Sequence, residues 1–207
     1  MQGVVLTGGS APDARRLQKW LKQEYTVVAA DSGLDHARRL GLEPSVILGD
    51  MDSLSDRSLL HAYPRAEVYS FDAAKDETDT EIAIRTLYER GVTDILLAGG
   101  GGGRLDHLFG IYSLFHREMR PAVWLTDHSD IICIEGRLER EFPVGSVLSF
   151  FPAGRAPCRM RTSGLRWPLN TLMWEIGDAG ISNVVEESPV VVEMLQGRLL
   201  LVRDHQG

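Results

Sequence analysis

Two cysteines, Cys133 and Cys158, are all that the 207 residues contain. Neither has the spacing of a zinc ligand pair, and two thiols in such a chain are expected to be free and buried, as in a reducing compartment. Basic residues are not in excess either: 22 Lys and Arg stand against 29 Asp and Glu, a formal charge of −7. That balance excludes a general electrostatic grip on nucleic acid, so a polyanionic ligand here needs local cations or a metal. No apolar run approaches the ~20 residues that cross a bilayer. The chain opens directly into strand-like Val4–Leu6, without the basic start and cleavage site of a signal peptide. The expected address is the cytoplasm. Two nucleotide-binding signatures are also missing. No G-x-x-x-x-G-K-[ST] occurs, which excludes a P-loop kinase, and the turn after the first strand is only Gly8-Gly9-Ser10, which argues against a dinucleotide-binding dehydrogenase.

What is present is a globular composition, 43% hydrophobic and 25% charged, long enough for one large domain or two small ones. Up to His128 the chain alternates. Apolar runs at Val4–Leu6, Thr26–Ala30, Val46–Leu48, Glu67–Phe71, Asp94–Ala98 and Ala122–Leu125 are separated by helical segments. Ser10 with Pro12 reads as the start of the first helix, and Leu108, Ile111, Tyr112 and Phe115 predict an inward face on a late helix running to Glu118. This pattern predicts a mostly parallel α/β/α domain over residues 1–128. From Ser129 onward no helical period remains. Ile131–Ile134, Val147–Phe151, Arg159–Arg161, Leu172–Ile176, Val190–Met194 and Arg198–Val202 are short strand-like runs. Glu135-Gly136-Arg137 and Gln196-Gly197-Arg198 read as hairpin turns. Residues 129–207 are therefore expected to form an all-β domain, a small sandwich or barrel.

The chemistry gathers where strands end. Val46-Ile47-Leu48-Gly49-Asp50-Met51-Asp52 sends a buried strand into two carboxylates. In an extended segment residues i and i+2 project together, so Asp50 and Asp52 form a pair. Such a pair suits a hard divalent cation such as Mg²⁺, and it equally suits an Asp-rich turn that bonds its own backbone. Asp31 ends another strand. Lys75 precedes Thr78 and Asp79, which open a helix with Thr78 and Glu81 at capping-box spacing. There Asp79 serves either as a ligand or as a first-turn anion favoured by the helix dipole. Five glycines, Gly99–Gly103, lead into Arg104, Asp106 and His107. So costly a run suggests close approach of the backbone to a ligand, and Arg104 can fork onto phosphate oxygens. A parallel sheet brings the strand-to-helix connections to one edge. Asp31, Asp50, Asp52, Asp79 and Asp106 thus meet Lys75 and Arg104, a set suited to a nucleoside triphosphate bound through Mg²⁺.

With those residues in view, the sequence resembles the thiamine pyrophosphokinase family. The likeness rests on Ala30-Asp31-Ser32-Gly33, Gly49-Asp50-Met51-Asp52-Ser53, Lys75-Asp76-Glu77-Thr78-Asp79 and Arg104-Leu105-Asp106-His107 after glycine. It continues with Ser163-Gly164-Leu165-Arg166-Trp167-Pro168-Leu169 and Ile181-Ser182-Asn183. The resemblance implies an α/β domain followed by a β-sandwich domain in a homodimer. It implies transfer of a pyrophosphoryl group from ATP to the thiamine hydroxyl, giving thiamine diphosphate and AMP. By position, Asp31, Asp50, Asp52 and Asp79 would organise Mg²⁺ and the phosphates. Lys75, Thr78, Arg104, Asp106 and His107 would contact ATP, and Asp79 or Asp106 would accept the hydroxyl proton. Trp167, Ser182 and Asn183 would line a thiamine pocket reached from the partner subunit; taken on its own, Trp167 reads as a core or interface tryptophan. The chain departs from the family at Ser32, where a glycine is usual, and at Asp35, where an asparagine is usual. Two other readings compete. One is a Mg²⁺-dependent phosphohydrolase with Asp50 as nucleophile, which usually carries its D-x-D after the first strand. The other is a non-catalytic nucleotide or thiamine sensor.

Overall fold

The computed structural model describes residues 1–50, 58–72 and 75–205. Asp52 lies outside the described residues, with the rest of the segment 51–57. The chain divides into two units: Met1–Leu114 with Glu118–His128, and Phe115–Arg117 with Ser129–Gly207.

The first unit alternates strand and helix. Its elements are β1 (Gln2–Leu6), α1 (Ala14–Gln18), β2 (Tyr25–Ala30), α2 (Gly33–Leu40), β3 (Val46–Gly49), α3 (Leu59–Ala62), β4 (Glu67–Ser70), α4 (Asp79–Glu89), β5 (Ile95–Ala98), α5 (Leu105–Leu114) and β6 (Val123–Leu125). The strands pair in parallel in the order β6-β5-β1-β2-β3-β4. Every residue of β1, β3 and β5 is buried, as expected of a parallel sheet covered on both faces, and this explains their unbroken apolar runs. Val4, Leu6, Val27, Ala29 and Ile47 form one core with Leu17 of α1 and Leu34 and Ala37 of α2. β4 closes one edge with all four residues exposed. The strand order reverses between β1 and β5, and open α/β sheets bind ligands in the crevice at such a reversal.

Two helix boundaries differ from the sequence expectation. Asp13, rather than Ser10, caps α1, its carboxylate accepting from the Arg16 N–H at 2.8 Å. Ser10 is occupied elsewhere: its N–H donates to the Gly101 carbonyl and its carbonyl accepts from the Gly101 N–H. The late helix α5 stops at Leu114 instead of Glu118. Within the second unit the buried Arg198 guanidinium takes the Phe115 carbonyl at 2.7 Å and the Arg117 carbonyl at 3.1 Å, and it pairs with Glu135. Those contacts hold Phe115–Arg117 out of helical geometry.

The second unit is all-β. Its strands are β7 (Ser129–Ile134), β8 (Arg137–Arg140), β9 (Val147–Ala153), β10 (Cys158–Ser163), β11 (Met173–Trp174), β12 (Gly180–Val184), β13 (Val190–Gln196) and β14 (Arg198–Asp204). They make two antiparallel groups, β12-β9-β14-β7 and β11-β10-β13-β8, the layout of a sandwich. β10 shows the expected alternation: Cys158, Met160 and Thr162 are buried, while Arg159, Arg161 and Ser163 face out. Neither expected hairpin is one. β7 pairs with β14 while β8 pairs with β13, so the turn at Gly136 and the turn at Gly197 each pass the chain from one sheet to the other. A period-two pattern fixes which face is buried but not which neighbour a strand takes. Neither cysteine forms a disulfide; Cys158 is buried and Cys133 half-buried.

Candidate active site

Asp31 is where the carboxyl edge of the first unit becomes unusual. It follows β2 with φ +47°, a left-handed conformation that aspartate tolerates better than most side chains. Its N–H donates to the Leu48 carbonyl at 2.9 Å, and its carbonyl accepts from the Leu34 N–H at 3.0 Å as α2 begins. The Asp31 side chain lies against the end of β3, where Gly49 has φ +143° and a Cβ would overlap the Asp31 carboxylate. Gly49 is thus required twice, for its backbone angle and for the space Asp31 fills.

Among the described residues, no donor faces the buried Asp31 Oδ1. Burial first, then the hydrogen-bonding and charge of Asp79 and the charge of Asp50, push the Asp31 carboxyl up to about 7, against the opposing pull of Lys75. Asp79 goes the other way. Burial works against its charge, but hydrogen bonds from Asp31 and from Lys75 outweigh it and hold its carboxyl below the usual range. Lys75 Nζ lies 2.7 Å from Asp79 Oδ1, with both side chains largely buried, and 5.6 Å from the centre of the Phe71 ring. Of the two carboxyls, Asp31 is therefore the one that takes up a proton first as pH falls. Among the described residues no group of three or more His, Cys, Asp or Glu side chains is disposed to hold a metal ion.

The first turn of α4 is built by its own sequence. Thr78 Oγ1 accepts from the Glu81 N–H at 3.2 Å, and Glu81 Oε2 accepts from the Thr78 N–H at 2.7 Å. That is the capping box expected from the spacing. The Thr78 hydroxyl also donates to Glu81 at 2.8 Å, so its side chain is committed to the cap. A second tie was not legible from spacing: Thr7, just after β1, and Thr80, just after Asp79, share a buried hydroxyl–hydroxyl bond of 2.7 Å.

The glycine run has a different use from the one its sequence suggests. A Cβ on Gly99, at φ +118°, would overlap the Thr7 carbonyl. Gly100 N–H donates to the Gly8 carbonyl at 2.6 Å, Gly101 pairs with Ser10, and the Trp124 indole N–H donates to the Gly99 carbonyl at 2.8 Å. The approaching backbone is thus the loop after β1. His36 adds to it: its Nε2–H donates to the Gly9 carbonyl at 2.7 Å, and Nδ1 accepts from Arg39 at 3.3 Å. Burial lowers the His36 pKa, which favours this neutral tautomer. Ser32, the departure from the family pattern, places its hydroxyl over Gly8, where a Cβ would stand 2.5 Å from it.

Arg104, Asp106 and His107 are exposed around the start of α5. The Arg104 guanidinium grips Asp106 with bonds of 3.2 and 2.5 Å, which pulls the Asp106 carboxyl down to about 2. In this state Asp106 is a weak base.

In the second unit, Trp167 is 55% exposed and the Arg166 guanidinium stands 5.6 Å from its ring centre, held by Glu186 at 2.8 Å. Asn183 is 4% exposed and turns its side chain onto the Trp167 backbone. Its Oδ1 accepts from the N–H groups of Trp167 at 3.2 Å and Val184 at 2.9 Å, and its Nδ2 donates to the Trp167 carbonyl at 2.7 Å. Ser182, at φ +63°, is exposed and its N–H donates to Ser149 at 3.2 Å.

A family model described as the catalytic domain of thiamin pyrophosphokinase matches residues 17–125, and one described as its vitamin B1 binding domain matches residues 135–199. The thiamine pyrophosphokinase of Bacillus subtilis is 26% identical over 195 residues, 87% of this chain and 88% of that protein. Thiamine pyrophosphokinase 1 of Oryza sativa subsp. japonica is 30% identical over 167 residues, 73% of this chain and 63% of that protein. The crystal structure of the Bacillus subtilis enzyme superposes with a TM-score of 0.82 at 22% identity, covering 100% of both chains, which shows a shared fold. Neither the phosphohydrolase nor the sensor reading gains support from these matches. Two domain models in succession, the first spanning more than half of the sequence, establish that the chain belongs to the thiamine pyrophosphokinase family.

Proposed function

We propose that the protein transfers a pyrophosphoryl group from ATP to the hydroxyl of thiamine, releasing AMP. The observation that carries this reading is the carboxyl edge of the parallel sheet, where Asp31 interacts with Asp79, Asp50 and Lys75, and Lys75 pairs with Asp79. The hydroxyl oxygen bonds to the β-phosphorus, the bond from that phosphorus to the oxygen bridging to the α-phosphorus breaks, and AMP leaves with the bridging oxygen. The hydroxyl proton passes to a carboxylate, either Asp79 or Asp106. Asp106 becomes the stronger base once Arg104 turns from it to the phosphates. Lys75, Thr78, Arg104, Asp106 and His107 are the residues proposed to face ATP. For Thr78 the contact is through its place in the helix cap, since its hydroxyl is already bonded.

The donor set at this edge fits a hard cation. A buried Asp31 oxygen that no donor among the described residues faces and a neighbouring ionised Asp79 are what an oxygen-liganded Mg²⁺ stabilises. Asp31, Asp50, Asp52 and Asp79 are the proposed holders. When bound, the ion would neutralise charge on the phosphates. In the second unit Trp167, Ser182 and Asn183 are proposed for thiamine, Trp167 offering its exposed face to the cationic heterocycle. A homodimer with the thiamine site at the subunit interface completes the proposed reading. No described helix is long and apolar enough to cross a membrane, in keeping with a proposed cytoplasmic location. Incubation with thiamine, ATP and Mg²⁺ tests the reaction: AMP and thiamine diphosphate should appear in equal amounts, and ADP in place of AMP refutes pyrophosphoryl transfer.

A further inference from the structure

The Thr7–Thr80 hydroxyl bond joins positions 73 residues apart, and both side chains are 9% exposed or less. Thr7 continues β1 by one residue, and β1 lies beside β2, which ends next to Asp31. Thr80 is the residue after Asp79 in the first turn of α4, a helix that packs on β1, β2 and β3. The capping box at Thr78 and Glu81 shapes that turn through bonds within it. Further along, the helix packs through buried Ile82, Ala83, Ile84 and Leu87, and the Tyr88 hydroxyl bonds the Glu118 and Arg120 carbonyls two turns beyond Asp79. The threonine pair is a polar bond that ties the start of α4 to the end of β1 beside the carboxylates.

We propose that Thr7 and Thr80 are positioning residues for the reaction: their hydroxyl bond holds the first turn of α4 so that the Asp79 carboxylate meets Asp31 and Lys75. Neither threonine touches the reacting atoms. A directional bond between buried hydroxyls is worth having here because valine would fill both volumes with no hydroxyl to bury. The pair thus spends stability on geometry. This inference rests on the reading of Asp79 given above.

The test compares Thr80→Val, Thr80→Ser, the double variant Thr7→Val/Thr80→Val, Asp79→Asn and Asp79→Asn/Thr80→Val in the full-length chain. It measures turnover, KM for thiamine, melting temperature, and calorimetric binding of α,β-methylene-ATP with Mg²⁺. Groups that orient metal or phosphate ligands cost about tenfold or more when removed. Thr80→Val should therefore lower turnover and analogue affinity about tenfold with KM for thiamine unchanged, and Thr80→Ser should restore both to within about twofold. The Thr7→Val/Thr80→Val variant leaves no orphaned hydroxyl; it should melt near the wild type yet keep the binding defect. In the Asp79→Asn background Thr80→Val should cost nothing more, because it acts through Asp79. Recovery of analogue binding in the double-valine variant, or a full additive loss on top of Asp79→Asn, overturns the positioning role while leaving the reaction intact. Wild-type turnover and binding in Asp79→Asn overturns it together with the assignment of Asp79.

Discussion

Replacing Asn183 by alanine should destabilise the second unit by an amount that the hydrogen bonds set. The side chain makes three bonds, two of them to the Trp167 backbone and one to the Val184 N–H, and Asn183 itself is almost fully buried. A net 0.5–1.5 kcal/mol for each bond gives roughly 2–4 kcal/mol. Trp167 is half exposed, so water recovers part of the loss there and about 2 kcal/mol is the figure to expect. For a chain of this length each kcal/mol moves the midpoint by about 2–4 °C, so the variant should melt about 4–8 °C below the parent. Asn183→Asp keeps both acceptor bonds but turns the donor facing the Trp167 carbonyl into a second acceptor, and should fall at least as far. Scanning calorimetry gives the midpoints, and Trp167 fluorescence reports whether the indole loses its fixed setting. An Asn183→Ala midpoint within 2 °C of the parent refutes the clamp and returns Asn183 to a role in direct ligand contact alone.

Three further outcomes follow from the first unit and from Arg198. The Asp31 carboxyl is raised to about 7, so the folded chain holds a proton that the unfolded chain releases near pH 4. This contribution to stability is complete below about pH 4 and is lost as pH rises through 7; melting curves from pH 5 to 8 without divalent ions should show that slope, and Asp31→Asn should flatten it. Asp50→Asn should abolish turnover while circular dichroism and melting stay near wild type, and full turnover sinks its assignment to the phosphate site. Arg198→Met removes a buried guanidinium from Glu135 and from the Phe115 and Arg117 carbonyls, and chemical denaturation should register a loss of about 2–4 kcal/mol.

Much of the first unit could be read in advance because its strands are buried on both faces and announce themselves as apolar runs. Carboxylates at their ends then share an edge whatever the helices do. Asp31, Asp79 and Lys75 do meet as the spacing implied. What could not be read depends on partners chosen at long range. Five consecutive glycines suggest a ligand close to the backbone, and only the fold tells that Gly8 and Ser10 of the chain itself take that place. Likewise the turns at Gly136 and Gly197 look like hairpins because a tight turn has the same residues whether the next strand returns beside the last or crosses to another sheet. Threonines 7 and 80 carry no local signal at all, since a buried hydroxyl in a strand end or a helix start resembles any β-branched residue.

The pairing of the glycine run with the first loop bears on how this chain can change in length. Loops at the surface ordinarily absorb insertions and deletions. Here Gly100 and Gly101 are bonded in register to Gly8 and Ser10, and the same loop carries Thr7 and receives His36. Loss of one glycine before Gly102 would break that register and pull on Thr7, and through Thr80 on the turn that carries Asp79. Two segments some ninety positions apart are therefore tied to each other in residue count.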